Sequence, residues 1–341
     1  MMKKRSLLPP LPWAWAFLVV VGVWACSSGA GVEAAPPSAG VSQAPAGFWD
    51  HWGDGQAEID TYALVQPRYG EKRQGEAVLI FVTETFTDQT RVKSDGGHDD
   101  EFPVIKLNEV RDFQTGLYDY NAMTSSFLRL DGGQPRGQPT KVSLSVQEWC
   151  GHVYDQLLLR GARLHRTLHS YFDGEADLNE QADVPRGAVF ADAMPLLVRG
   201  LVGDLLQPGE QREVPWLPSL LDSRLAHRSL EWRTATLSRT AAPEVVEVPL
   251  GSFSCERYTA SVDGTTQTWW VEVDAPHRLV KWARSSGEEG SLLGSTRTKY
   301  WSQAGEGHER LRVDLGLPEA RWPRPGKAGS EQSSEPSGSG Q

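Results

Sequence analysis

The chain has 341 residues, and its 34 basic and 44 acidic side chains give it a formal net charge of −10 at neutral pH. A negatively charged protein repels the phosphates of nucleic acids, and no block of five or more basic residues offsets that repulsion. The composition therefore predicts that the protein does not bind nucleic acid.

Residues 1–25 have the composition of a secretory signal. A basic start at residues 3–5 precedes an apolar run over residues 11–25. That run is shorter than the roughly 20 residues of a membrane-spanning helix, and prolines interrupt its start. We therefore expect residues 1–25 to be a signal peptide that is removed on export.

The predicted signal ends in Val-Trp-Ala-Cys at residues 23–26. This segment is similar to the cleavage motif of bacterial lipoproteins, in which a small residue precedes the cysteine. The resemblance implies that Cys26 becomes the first mature residue and carries acyl chains such as palmitate, which anchor the protein to a membrane; plain secretion is the alternative. Ser27 follows the cysteine, which in enterobacterial lipoproteins implies the periplasmic face of the outer membrane.

The rest of the chain divides by composition. Residues 26–46 contain the lipidated cysteine and a Pro-rich stretch of small residues that is typical of a disordered tether, and residues 317–341 are typical of a disordered tail. Between them we predict an N-terminal β-rich lobe over residues 47–187. A helix and a C-terminal β-rich lobe are predicted over residues 188–316.

Alternation of apolar and polar residues predicts strands in both lobes. In the first lobe the predicted strands are 77–86, 141–149 and 164–172. In the second lobe they are 245–250, 253–261, 266–273, 279–284 and 295–301. Asp263-Gly264 lies between two of these runs and predicts a hairpin turn.

One helix is predicted from residue 192 to residue 199. Asp192 is expected to cap its start, and Pro195 falls in its first turn, where a missing N–H does no harm. The predicted fold class is therefore mainly β. We expect an antiparallel curled sheet or half-barrel meander with this one main helix packed on it, as one body or two lobes.

The second half also resembles a known family through a series of packing and turn motifs. These are a helix from Asp192 to Arg199, Pro208-Gly209-Glu210, Pro249-Leu250-Gly251-Ser252-Phe253, Trp269-Trp270-Val271 and the turn from Pro276 to Lys281. In this order they resemble the uncharacterised periplasmic family called domain of unknown function 3108, and more distantly the LolA/LolB lipoprotein-localisation group. The resemblance covers roughly residues 190–302 and implies a curled sheet, but no chemistry.

The polar residues that could carry chemistry lie in the first lobe. Glu148, Cys150 and His152 would share one face of a single strand, with His169 and Asp173 following. Such residues could bind zinc or place a thiolate beside a histidine base. No known metal-motif spacing accompanies them, so a solvated strand edge and turn is the favoured alternative. The sequence predicts no cofactor and no metal, and His152, His169 and Asp173 remain the catalytic candidates of a hydrolase hypothesis.

Two pairs of residues leave alternatives open. Cys150 and Cys255 remain after processing and could form a disulfide, or be two separate buried thiols. Trp269 and Trp270 are adjacent, so on a strand they point to opposite faces. One could fill the core while the other contacts an acyl chain or sugar in the hollow of the sheet; aromatic packing is the favoured alternative.

These observations favour a non-enzymatic outer-membrane lipoprotein that faces the periplasm and binds a hydrophobic ligand or an envelope-protein partner in the hollow of its sheet. The first alternative is a metal-assisted hydrolase that uses the His/Asp cluster. The second is a purely structural envelope protein, which we expect if the hollow is filled by the protein's own side chains.

Overall fold

A computed structural model describes residues 44–175 and 177–319. The predicted signal peptide, the lipidation site Cys26, most of the predicted tether over 26–46 and most of the predicted tail over 317–341 lie outside the described residues.

The described residues form one continuous sheet of 16 strands. Strands of the first half are β1 (Ala57–Arg68), β2 (Glu71–Thr87), β3 (Glu101–Thr115), β4 (Tyr118–Arg129), β5 (Pro139–Glu148), β6 (Gly151–Arg160), β7 (Arg163–Ser170) and β8 (Leu178–Asp183). Strands of the second half are β9 (Val189–Phe190), β10 (Gln211–Leu217), β11 (Arg233–Arg239), β12 (Glu244–Val248), β13 (Gly251–Val262), β14 (Thr265–Glu272), β15 (Leu279–Arg284) and β16 (Glu289–Thr298).

The sheet consists of two antiparallel runs that meet at β1 and β16. Strands β1 to β8 pair in chain order, and from β16 the order continues through β15, β14, β13, β11 and β10 to β9. Only the short β9–β10 pairing is parallel among the described strands, and β12 pairs with the first half of β13. The predicted fold class, a mainly β curled sheet, is confirmed. Strands from both 47–187 and 188–316 belong to this one sheet.

Side-chain alternation explains why these segments are strands. In β5, Val142, Leu144 and Val146 are buried on one face, as predicted. The predicted hairpin at Asp263-Gly264 is also present, with φ angles of 48° and 76° that suit a tight two-residue turn. The predicted strand 295–301 is shifted, because β16 begins at Glu289 and the chain forms a 3-10 turn at Tyr300–Ser302.

In the described part of the chain, three short α-helices pack on the sheet instead of one main helix. They are α1 (Phe48–Trp52), α2 (Met194–Val198) and α3 (Leu220–Ala226), and a 3-10 turn at Ala191–Ala193 precedes α2. Within the described residues, no helix is both long and apolar enough to cross a membrane.

The prediction that Asp192 caps its own helix is wrong. Its Oδ2 accepts the backbone N–H of Leu220 at 3.0 Å, at the start of α3, and no side chain of the described residues caps α2. Burial raises the pKa of Asp192 to about 7. Asp192 therefore joins two helices across the interior instead of starting one.

The core lies on the inner face of the curl, where α2 and α3 cover the strands. Its largest fully buried side chains include Trp216, Tyr62 and Phe81. On the outer face, the 3-10 segment His308–Leu315 covers the centre of the sheet, where Thr61 Oγ1 donates a hydrogen bond to the Leu315 carbonyl. The middle of the sheet is therefore buried on both faces.

Candidate functional site

The hollow of the curled sheet is filled by the protein's own side chains. Trp269 is buried and lies opposite Trp282 in the β14–β15 register, and the Trp282 ring centre lies 4.7 Å from that of Tyr62. A cavity of about 30 Å³ remains beside them. One buried water needs roughly 10–15 Å³ of cavity volume. This cavity therefore has room for about two waters and not for an acyl chain.

Buried charges around this cavity are paired with one another. Arg111 contacts Glu288 at 2.9 Å and Glu109 at 2.6 Å. Arg284 contacts Glu288 at 3.3 Å and also pairs with Asp222. Burial opposes the charge on Arg111, but the neighbouring carboxylates outweigh it and raise the pKa of Arg111 above its usual range. Because each charge in this network faces an opposite charge, the network fixes the packing of the strands and α3.

A second buried charge cluster joins β1 to the end of α2. Arg199 Nη1 lies 2.6 Å from Glu58, and its other nitrogens donate to the carbonyls of His277 at 2.8 Å and Pro276 at 3.0 Å. Burial opposes ionisation of Glu58, but Arg199 outweighs it and lowers the pKa of Glu58 to about 2. Burial, with the adjacent Glu58 charge, raises the pKa of Asp60 to about 8.

Carboxyl groups with such separated pKa values resemble an acid–base pair. However, Glu58 is 1% exposed and Asp60 is 0% exposed, so a substrate from solvent does not reach either of them. The cluster therefore acts inside the fold, where it ties β1 to the chain that follows α2.

A larger pocket of about 320 Å³ lies beside Leu197 of α2. Its floor is apolar and contains Val189, Leu197 and Val214, which are buried, with Leu205 and Pro215 half-buried at its side. We call it the arginine pocket, and its lining residues are 135–138, 186–189, Leu197, Leu205 and 212–215.

Two matching turns form the mouth of the arginine pocket. Pro135-Arg136-Gly137 and Pro185-Arg186-Gly187 each close with a hydrogen bond to the proline carbonyl, of 3.0 Å and 3.1 Å. Gly137 has a φ of 79° and Gly187 a φ of 74°, as the third position of a type II turn requires. Each turn thus presents one arginine, at its second position, to the same pocket.

The charges at this mouth are unbalanced. Arg136 and Arg186 are exposed, and neither has a hydrogen-bond or ion-pair partner among residues 44–175 and 177–319. A third arginine, Arg212, lies 3.8 Å from Glu210, and Glu213 is the one carboxylate in the lining described above. The arginine pocket therefore presents excess positive charge on a protein that is acidic overall.

The catalytic candidates do not form a cluster. His152, His169 and Asp173 are all exposed, and His169 Nδ1 pairs with Asp177 at 2.9 Å. Across the described part of the chain, no group of three or more His, Cys, Asp or Glu side chains could hold a metal ion.

The prediction that Glu148, Cys150 and His152 share one face of a single strand is wrong. Glu148 ends β5, Cys150 lies in the following turn and His152 belongs to β6, opposite Gln147. The Glu148 carboxylate accepts the Cys150 backbone N–H at 2.6 Å, which stabilises this turn.

The two cysteines are free thiols in the structure. Cys150 is exposed in the β5–β6 turn, whereas Cys255 is buried in β13. Burial raises the pKa of Cys255 to about 12, so that thiol is protonated at neutral pH.

Trp269 and Trp270 lie on opposite faces of β14, as their adjacency requires. Trp269 joins the main core, while Trp270 packs against the small outer cluster that contains Cys255. The Trp270 indole donates to Glu244 at 2.6 Å. Both rings therefore contact the protein itself.

Sequence reasoning missed the arginine pocket. Its residues are far apart in the chain and match no ligand-binding motif. One local signal was present, because Pro-Arg-Gly occurs at 135–137 and again at 185–187, and Pro and Gly at these positions favour turns. Their meeting at one pocket depends on the fold.

Comparison of the sequence with family models gave no match, and comparison with curated proteins gave none either. Among solved structures, the chain is similar to a beta-barrel-like protein of domain of unknown function DUF1849 from Brucella abortus. The two share 11% sequence identity with a TM-score of 0.42, and the match covers 72% of this chain and 98% of the other.

Proposed function

We propose that this protein is a non-enzymatic binding protein of the bacterial envelope, held at the outer membrane by a lipid on Cys26, and that the arginine pocket is its ligand site. The observation that carries this proposal is the pocket itself, with about 320 Å³ and an apolar floor. The hollow of the sheet, in contrast, leaves about 30 Å³.

The size and lining of the arginine pocket indicate a small ligand with an apolar part. Ligand pockets usually span roughly 300–1,000 Å³ and are lined mainly by apolar side chains. The arginine pocket lies at the lower end of that range, and Val189, Leu197 and Val214 supply its apolar floor.

The filled hollow favours a second candidate, a purely structural envelope protein. In that case the pocket is an incidental surface feature and no small molecule binds there. Ligand binding therefore distinguishes the two functions.

The test uses the mature chain with Cys26→Ser, exported behind an ordinary secretory signal and purified from periplasm without acyl chains or detergent, and the uncharged fluorophore N-phenyl-1-naphthylamine. We expect saturable binding that is lost in Leu205→Trp, because the larger ring would fill the half-buried side of the pocket. Leu250→Trp is the matched control, since Leu250 is 38% exposed and lies outside the pocket lining. The structural role would be favoured if the fluorophore did not bind, or if Leu205→Trp and Leu250→Trp bound it equally well.

A further inference from the structure

We infer that the arginine pocket recognises an oxyanion, a carboxylate or phosphate group, on the end of a small apolar molecule. This inference rests on the proposed function, since it names the ligand class of the same pocket. The juxtaposition that supports it is two Pro-Arg-Gly turns over one apolar floor.

The first step of the argument is the free donor capacity at the mouth. A guanidinium group has five N–H donors in a planar fork that matches carboxylate and phosphate oxygens. Arg136 and Arg186 have no partner among the described residues, so their donors are available to a ligand. Arg212 has one N–H on the Leu205 carbonyl at 2.8 Å and keeps other donors free.

The second step is the packing of the turn that carries Arg136. A Cβ atom at Gly137 would lie 3.3 Å from Leu197 Cδ2, so this turn packs closely on α2. The Arg136 guanidinium lies beside Gly203, where an added Cβ atom would be 3.0 Å from Nη1. Gly203 has a φ of 92°, in the region that favours glycine.

The third step is the position of the charges relative to the floor. The arginines are exposed at the mouth, whereas Val189, Leu197 and Val214 are buried beneath them. A ligand that enters tail first would place its apolar part on this floor and its charged end between the two turns. Glu213 in the lining repels an anionic end, but three arginines attract it, so the net preference is for an anion.

Competition against bound N-phenyl-1-naphthylamine tests the inference, with decanoate, decyl phosphate, decanol and inorganic phosphate as competitors. We expect decanoate and decyl phosphate to displace the fluorophore at concentrations at least about tenfold below that of decanol, because charge-assisted hydrogen bonds form only with the anions. In the double variant Arg136→Gln with Arg186→Gln, this tenfold preference should disappear while fluorophore binding persists.

The control is Arg228→Gln, because Arg228 is exposed and lies outside the pocket lining. It should keep the preference for anions. The oxyanion inference would be overturned if decanol competed as well as decanoate, or if the double variant kept the preference for anions. Either result would leave the apolar binding function in place. Inorganic phosphate as potent as decyl phosphate would also overturn it, in favour of a site for free anions. If the fluorophore itself does not bind, the proposed function fails first.

Discussion

Arg199 is a buried charged residue that is held by contacts on several sides. Its guanidinium contacts the Glu58 carboxylate and two backbone carbonyls, and it lies 4.3 Å above the centre of the Phe81 ring. Removal of one member of a buried ion pair leaves the other charge without compensation. Loss of Arg199 should therefore lower the free energy of unfolding strongly.

We expect Arg199→Met to lower the free energy of unfolding by about 3–5 kcal/mol, because the buried Glu58 would lose its arginine partner and keep only His51, at 3.6 Å. The matched control is Arg163→Met, which breaks the exposed Arg163–Asp183 pair of 2.7 Å. Exposed pairs contribute about 1 kcal/mol or less. Urea denaturation of both variants checks the prediction, and equal effects would contradict it.

Asp60 should make the protein less stable as the pH rises from about 4 to about 8. Above pH 4 the unfolded chain releases this proton, whereas burial keeps it on the folded protein until its pKa of about 8. Over that range the group lowers the free energy of unfolding by at most about 1.4 kcal/mol per pH unit.

Asp60→Asn should remove this slope and make the variant more stable than the natural protein at pH 8. Denaturation curves at several pH values between 4 and 8 measure how the free energy of unfolding changes with pH. Asp173→Asn, at an exposed position, should leave the slope unchanged. Parallel profiles for Asp60→Asn and the natural protein would show that Asp60 ionises normally.

The roles of single residues were the hardest feature of this protein to predict from the sequence. Asp192 has the residue type and position of a helix cap, yet its carboxyl group binds the N–H of Leu220, which is distant in the chain. Similarly, Arg136 and Arg186 are ordinary turn residues in the sequence. Both roles depend on which segments meet in space.

The 3-10 segment His308–Leu315 packs on β16 at one glycine, Gly294. A Cβ atom at Gly294 would lie 2.7 Å from the backbone of Leu315, so only glycine allows this close approach. The same approach lets Thr61 reach the Leu315 carbonyl.

We expect Gly294→Ala to displace this segment from the sheet and to destabilise the protein by about 1–3 kcal/mol, as overpacking does. Hydrogen exchange of the amides in 308–317 should become faster. Gly305→Ala is the control, because its added Cβ would lie 3.7 Å from the nearest atom, an ordinary contact. Unchanged exchange in Gly294→Ala would mean that the segment does not need this contact.

At the level of elements, prediction succeeded where apolar and polar residues alternate. β2, β5 and β14 follow that rule. β1 and β3 were missed because Glu58, Asp60 and Arg111 are ionisable yet buried. Glu58 pairs with Arg199 and Arg111 with Glu288, both outside these two strands. Ion pairs between residues far apart in the chain break the pattern from which strands are predicted.

At the level of the whole molecule, the sequence predicted the fold class but not the strand order. Hairpins between consecutive strands have local signals such as Asp263-Gly264. The pairing of β1 with β16 has none, because Thr61 lies opposite Gly294, 233 residues away.

This pairing makes the sheet a circularly permuted meander. If the chain began at β9, ran through β16 and continued into β1, most neighbouring strands would also be consecutive in sequence. A permuted chain from Pro185 to Val184, with a flexible linker from residue 319 to residue 44, should therefore keep the sheet and refold faster, since its contact order is lower. Stopped-flow tryptophan fluorescence measures the rate, and an unchanged rate would mean that closure of this long loop is not limiting.

In the natural order of the chain, β1 pairs with its second neighbouring strand, β16, only after residues 289–298 have been synthesised. The centre of the sheet therefore cannot be completed before the last of its sixteen strands has left the ribosome.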